Sequence, residues 1–217
     1  MTFTHLPKRE LPDIKQIEID GVRHYETPDG AFISITSLLK NYTPEGILSW
    51  RKSVGDDVAD HVMRTATTRG NKVHKLIENC LSNKPETDLV GNNGVLAAGL
   101  FQLMIPAIDK IDQIRVLEQA IYSKRLRLAG TVDCIAEYDG KLSIFDFKTA
   151  SRKRDEINEN YLVQATFYSI AWEERTSEKI DQIVILTVTE DGTLNVHKDD
   201  PALYVKKLEH MVEEYNS

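Results

Sequence analysis

Cysteine is scarce in this chain of 217 residues, with Cys80 and Cys134 the only two. Four-cysteine iron–sulfur clusters and cysteine-rich zinc sites are therefore excluded, and reduced thiols in a cytosolic compartment are the simple reading. Long apolar runs are missing as well. The longest, Val95 to Ile108, is interrupted by Gln102 and Pro106. It is too short for a bilayer and suits a buried helix, so no membrane partner is expected. Met1 to Asp13 has no apolar signal core and carries acids, so neither a secretory nor a transit peptide is visible. No Gly-x-x-x-x-Gly-Lys-Ser/Thr loop occurs, which excludes an NTP-driven motor in this chain. Positive charge is in deficit, with 27 Lys and Arg against 34 Asp and Glu for a net charge of −7. Bulk charge cannot coat nucleic acid with this protein, although one basic groove remains compatible with the total.

Hydrophobic residues make up 41% and charged residues 28%, an ordinary globular balance. No internal repeat, low-complexity tract or linker divides the chain. A single domain over 1–217 is expected, with a hairpin and helical part over 1–110 and a sheet with helices over 111–217. Ile17 to Ile19 and Val22 to Tyr25 flank Asp20-Gly21, a hairpin turn, and Pro28-Asp29-Gly30 leads into a further extended segment over 31–34. Thr36 caps a short helix through Leu39, and Thr43-Pro44-Glu45 starts another. Asp56 to Leu81 is helical, with a break expected near Thr67 to Gly70; the Val95 to Ile108 helix follows a polar loop over 82–94. Strand character then runs over 114–123, 126–138 and 141–148, followed by a helix over 156–174, a strand over 180–189 and a closing helix over 201–215. This order predicts an α/β fold with a mixed sheet.

Asp139-Gly140 is the strongest hairpin signal in the chain. A two-residue loop there sets Tyr138 opposite Lys141, and paired positions sum to 279. Asp133 then faces Asp146, and Thr131 faces Lys148. Arg125, Arg127, Thr131 and Asp133 share one face of the first strand. Leu126, Leu128, Val132 and Cys134 share the other, where they meet Phe145 and Phe147. Two carboxylates opposed across a ladder repel each other, so stability alone does not favour them. A divalent cation reverses that argument, because hard cations take carboxylate ligands. Solvated strand-edge acids with a surface ion pair to Lys148 are the alternative reading.

Gly130-Thr131-Val132-Asp133, Asp146-Phe147-Lys148-Thr149 and Gln164-x-x-x-Tyr168 together resemble the motif series of the RecB-like nucleases in the PD-(D/E)XK superfamily. Arg23 to Gly30, Ser34 to Leu39, Trp50-Arg51-Lys52 and Thr68-Arg69-Gly70 look like the N-terminal half of the mitochondrial genome maintenance exonucleases and their phage relatives. The resemblance implies a restriction-endonuclease-like mixed sheet flanked by helices, with a helical N-terminal portion. It implies that His74, Asp133 and Asp146 hold one or two divalent ions, Mg²⁺ or Mn²⁺, with the Phe147 carbonyl as a further ligand. Imidazole is a better partner for Mn²⁺ than for Mg²⁺. Lys148 would act at the reacting phosphate, as a base or as an electrostatic stabiliser. Gln164 and Tyr168 would adjoin the metal or the scissile nucleotide. For Tyr161, Tyr168 and Trp172 at helical spacing, a packing stripe is the usual alternative reading. Glu118 is either an additional acid or an ordinary charged strand residue.

The activity implied is a metal-dependent DNA exonuclease acting on single strands or strand ends. A junction-resolving endonuclease and a non-catalytic nucleic-acid-binding module are the rivals on the same fold. Arg69, Arg125, Arg127, Arg152, Lys153 and Arg154 are candidates to hold phosphates, and Tyr25, Tyr42 and Trp50 to stack on bases. The absence of a visible transit peptide favours a phage or bacterial member in a cytoplasmic setting, the host cytoplasm if phage-encoded. Protein partners and cleavage polarity are open.

Overall fold

Two Asp-Gly turns frame the sheet, and both take the left-handed geometry that such hairpins need. Asp20 and Gly21, with φ 50° and 75°, join β1 (Lys15–Ile19) to β2 (Val22–Thr27). Asp139 and Gly140, with φ 51° and 75°, join β5 (Leu128–Tyr138) to β6 (Lys141–Ala150). The computed structural model describes residues 2–85, 93–153 and 156–217. The remaining elements are β3 (Gly30–Ser34), α1 (Ile35–Leu39), α2 (Glu45–Val54), α3 (Asp56–Leu81), α4 (Val95–Ile108), β4 (Ile111–Ser123), α5 (Glu159–Thr176), β7 (Gln182–Thr189), β8 (Leu194–Asp199) and α6 (Val205–Asn216).

All eight strands join one mixed sheet in the order β1-β2-β3-β5-β6-β7-β8, with β4 paired to β5. β5–β6 is antiparallel and β6–β7 and β3–β5 are parallel. Apolar side chains cover both faces. On one, Val132, Ile135, Leu142 and Ile144 pack with α1, α5 and α6. On the other, Cys134, Phe145, Phe147 and Val184 pack with α4 and the C-terminal part of α3. Val132 and Cys134 therefore lie in different clusters, although strand alternation predicted one shared face.

The position of β5 decides where the site opens. Its C-terminal half pairs with β6 from Cys134 to Tyr138, while its first two residues pair with β3. On the edge of β5 away from β4, Gly130 to Asp133 lies between these contacts and pairs with neither β3 nor β6. The sheet forks there. Tyr168 fills the fork: a Cβ on Gly130 would stand 2.9 Å from its hydroxyl and 3.0 Å from Ile35 Cγ2.

Several expectations are corrected. α3 runs unbroken for 26 residues, about 39 Å at 1.5 Å per residue. A single interior glycine, Gly70, costs about 1 kcal/mol and does not stop a helix without a proline. From Glu45 to Lys72 only Ala59 is buried, so α2 and the first turns of α3 stand clear of the core. β8 was missed, although Asp191-Gly192 before it is a turn signal of the same kind. α5 begins at Glu159 rather than Glu156, behind an Asn158 side-chain cap. Most of its apolar residues are buried, Tyr161 and Ile170 only in part, because it lies between the sheet and the α6 side of the molecule. Arg125 and Arg127 lie in the turn before β5, not on it; Arg127 has φ 54°. Among the described residues no helix is long and apolar enough to cross a membrane.

Candidate active site

The fork brings three elements together at Phe147. The Phe147 N–H has no ladder partner on β5 and donates instead to Asp133 Oδ2 at 2.8 Å. Its carbonyl accepts from His74 Nε2, on α3, at 2.6 Å. With Nε2 donating, the other ring nitrogen of His74 faces acids: Nδ1 is 3.7 Å from Asp133 Oδ1 and 3.9 Å from Glu118 Oε1. One ligand atom from each of His74, Glu118 and Asp133 lies within 4.8 Å of the other two.

Glu118 reaches this point through an irregularity in β4. The register passes from Leu117↔Cys134 to Gln119↔Val132 without pairing Glu118 to Asp133. Glu118 has φ 46°, a conformation that costs a side-chain-bearing residue about 1–2 kcal/mol and is rare in a strand. The turned backbone puts the two acids and the imidazole at one place.

Asp146 and Lys148 stand beside this group. Lys148 Nζ donates to Asp146 Oδ1 at 2.6 Å. Asp146 is 1% exposed, and its other oxygen, Oδ2, is buried without a hydrogen-bond partner. Burial pushes the Asp146 carboxyl up to about 6, against the pull of Lys148 and with the push of Asp133. Burial likewise raises Asp133, opposed by His74 and Lys148. Burial disfavours the charged form of His74, but Asp133 and Glu118 outweigh it and bring its pKa up to about 9. Lys148 is also held above its usual value, since Asp146 and Asp133 outweigh the cost of burial.

These residues fit a divalent cation. The donors are carboxylate oxygens and an imidazole nitrogen, the acids repel one another, and one buried carboxylate oxygen has no partner. The expected ligands are placed differently from one another: His74 and Asp133 meet in the three-residue group with Glu118, Asp146 stands next to it on Lys148, and the Phe147 carbonyl is engaged by His74.

A family model described as the PD-(D/E)XK nuclease superfamily matches residues 48–214. The chain belongs to that superfamily. Mitochondrial genome maintenance exonuclease 1 of Mus musculus is 26% identical over 136 residues, which cover 59% of this chain and 40% of the relative. An ATP-dependent helicase/nuclease of Clostridium beijerinckii is 30% identical over 76 residues, 34% of this chain and 6% of its own length. This chain thus spans less than half of either relative. A crystal structure from Eubacterium rectale, of a protein provisionally named an exonuclease, covers 69% of this chain and 64% of its own, with 13% identity and a TM-score of 0.49. Nucleases of this superfamily use divalent metal ions, and the acidic group at the fork is where this chain could hold one.

The other predicted residues divide. Gln164 Nε2 donates to the Tyr168 hydroxyl at 3.4 Å, and Tyr168 is buried against Gly130 at the fork. Arg69 lies nearby, with Nε 3.4 Å from Thr149 Oγ1 and its guanidinium paired with Glu190. Arg125 pairs with Glu209 on α6, and Arg127 lies over the Phe32 ring, 5.6 Å from its centre. Neither shares a strand face with Asp133, because the strand begins only at Leu128. Arg152 and Lys153 are exposed after β6, and Arg154 lies outside the described residues. Tyr25 is buried with its hydroxyl 3.1 Å from Thr131 Oγ1, so it offers no free ring face for stacking, while Tyr42 is half-buried with its hydroxyl tied to Met211 and Glu214 of α6. Trp50 is half-buried on α2. Sequence reading missed Tyr161 as a neighbour of Lys148, although its position three residues before Gln164 was a usable signal.

Proposed function

We propose that this chain is a metal-dependent deoxyribonuclease that degrades DNA from single-stranded ends. The observation that carries the reading is the convergence of Glu118, Asp133 and His74 beside the Asp146–Lys148 pair, at the fork of the sheet. Glu118, Asp133, Asp146 and His74 would hold Mg²⁺ or Mn²⁺. A divalent ion bound there would supply Lewis-acid polarisation of a phosphate and a water of lowered pKa.

Lys148 complements that chemistry with a fixed positive charge. Asp146 and Asp133 hold its pKa above the ordinary value in the metal-free site, and at the reacting phosphate it would act as a donor to the phosphate oxygens or as a base. The Phe147 backbone fixes Asp133 through its N–H and His74 through its carbonyl, so a single residue aligns two elements. Tyr168, buried against Gly130 with Gln164 donating to its hydroxyl, fills the fork on the α5 side. The exonuclease names of the relatives support attack at ends, and their low identity leaves the strand preference to experiment.

End-labelled single- and double-stranded oligonucleotides, incubated with Mg²⁺, Mn²⁺ or excess EDTA, test the reading. Loss of terminal label from single strands is expected with either ion and none with EDTA. Undiminished cleavage in EDTA would overturn the metal requirement. Cutting of a closed single-stranded circle as fast as its linear form would replace exonuclease by endonuclease.

A further inference from the structure

Lys148 has a second neighbour that carries no charge. Its Nζ lies 4.9 Å from the centre of the Tyr161 ring, on a different side chain from the Asp146 carboxylate that accepts its hydrogen bond. Tyr161 stands in the first turn of α5, half-buried against the cluster that contains Leu162, Ala165 and Tyr168. That turn is firmly anchored. The Asn158 side chain accepts from the Asn160 N–H, the Tyr161 N–H reaches the Asn158 carbonyl, and Asn160 Nδ2 donates to the Tyr42 carbonyl. The ring is thus held in place independently of Lys148.

We propose that Tyr161 is a positioning residue: its ring face keeps the Lys148 ammonium in the site when the Asp146 carboxylate is shared with a cation. The inference rests on the nuclease reading above. Asp146 offers Lys148 one oxygen and buries the other without a partner. A cation on that carboxylate competes with Lys148 for the same negative charge. An aromatic face attracts an ammonium through its quadrupole and has no net charge for the cation to neutralise, so its attraction remains. A third acid in that place would bind the cation itself. An aliphatic side chain would let the ammonium swing to solvent, to which the Lys148 side chain is already 22% exposed.

Tyr161→Phe keeps the ring face, Tyr161→Leu removes it, and Tyr161→Met removes it while filling more of the space. A partly desolvated cation–π contact is worth about 1–2 kcal/mol, or about 10-fold in rate. Tyr161→Phe should stay within about twofold of wild type in kcat and KM. Tyr161→Leu and Tyr161→Met should lower kcat about 10-fold with KM nearly unchanged. A second readout needs no metal and no activity. The Lys148 ammonium resonance should carry a ring-current shift in wild type and Tyr161→Phe that is lost in the other two. Equal damage from Tyr161→Phe and Tyr161→Leu would overturn the proposal, as would a raised KM with unchanged kcat, which would put the ring against a nucleobase. A wild-type protein inert on every strand would refute the nuclease reading, and the resonance would still decide the ring contact separately.

Discussion

His74 binds a proton tightly in the metal-free protein, and that proton is measurable. Its pKa of about 9 lies above the ordinary 6.5, so the charged imidazole contributes stability that is fully present below about 6.5. That stability is lost as the pH rises through about 9, and amounts to about 3 kcal/mol at most. Asp146 does not confuse this window: a carboxyl raised to about 6 weakens the fold between its ordinary value and 6, then stays constant. In EDTA, the melting temperature of wild type should therefore fall toward that of His74→Gln between pH 7 and pH 10. Metal ligation requires the neutral ring, so cation binding at pH 7.5 should release about one proton. Calorimetry in buffers of different ionisation enthalpy measures that release, which His74→Gln should abolish. A constant melting difference across the pH range would show that His74 is not held charged.

The Asp146–Lys148 pair yields a second expectation, on stability as well as rate. Lys148→Met leaves a buried carboxylate without its partner, which costs about 3 kcal/mol in denaturant melts of the metal-free protein. Asp146→Asn should abolish cleavage, and the double variant should recover much of the stability lost by Lys148→Met alone. If Lys148→Met melts like wild type, the pair is solvated and the proposed charge arrangement fails. The sequence reading places Lys148 at the reacting phosphate but carries no stability term, since burial of its partner cannot be read from spacing.

At the scale of elements, the β5–β6 hairpin was the most legible part of the chain. Asp139-Gly140 alone fixes a register in which Cys134 meets Phe145 and Tyr138 meets Lys141, as the structure has it. What the pattern could not reveal is where pairing stops. Asp133 and Asp146 fall one step past the last ladder pair, and Asp133 accepts from the Phe147 N–H that the ladder leaves free. The left-handed residue at Glu118 was likewise invisible, because nothing about a glutamate between Leu117 and Gln119 announces a positive φ. Gly130 is the element-scale test of this fork. A methyl group there meets Tyr168 and Ile35, both held in the core, so Gly130→Ala should cost about 2 kcal/mol. It should also lower activity by moving Tyr168 in the fork. A Gly130→Ala protein with wild-type melting and turnover would mean that Tyr168 does not fill the fork.

Across the whole molecule, a net charge of −7 repels DNA at long range, so affinity must come from a few cations near the fork. Each phosphate contact that releases counterions adds close to one unit to the slope of log affinity against log salt. The structure sorts the basic residues by whether they are already occupied. Arg125 faces Glu209, Arg69 is paired with Glu190, and Arg127 lies over Phe32. Arg152 is exposed just after the strand that carries Asp146 and Lys148, and no ion pair involves it among the described residues. Arg152→Ala should therefore weaken binding to every sequence alike and lower the salt slope by about 1. Arg125→Ala should leave the slope unchanged and instead lose a surface ion pair worth less than about 1 kcal/mol. Binding titrations of single-stranded DNA with Ca²⁺ in place of Mg²⁺, across a salt series, keep hydrolysis from distorting the result. A slope that falls for Arg125→Ala and holds for Arg152→Ala would move the DNA path to the turn before β5, on the α6 side of the sheet.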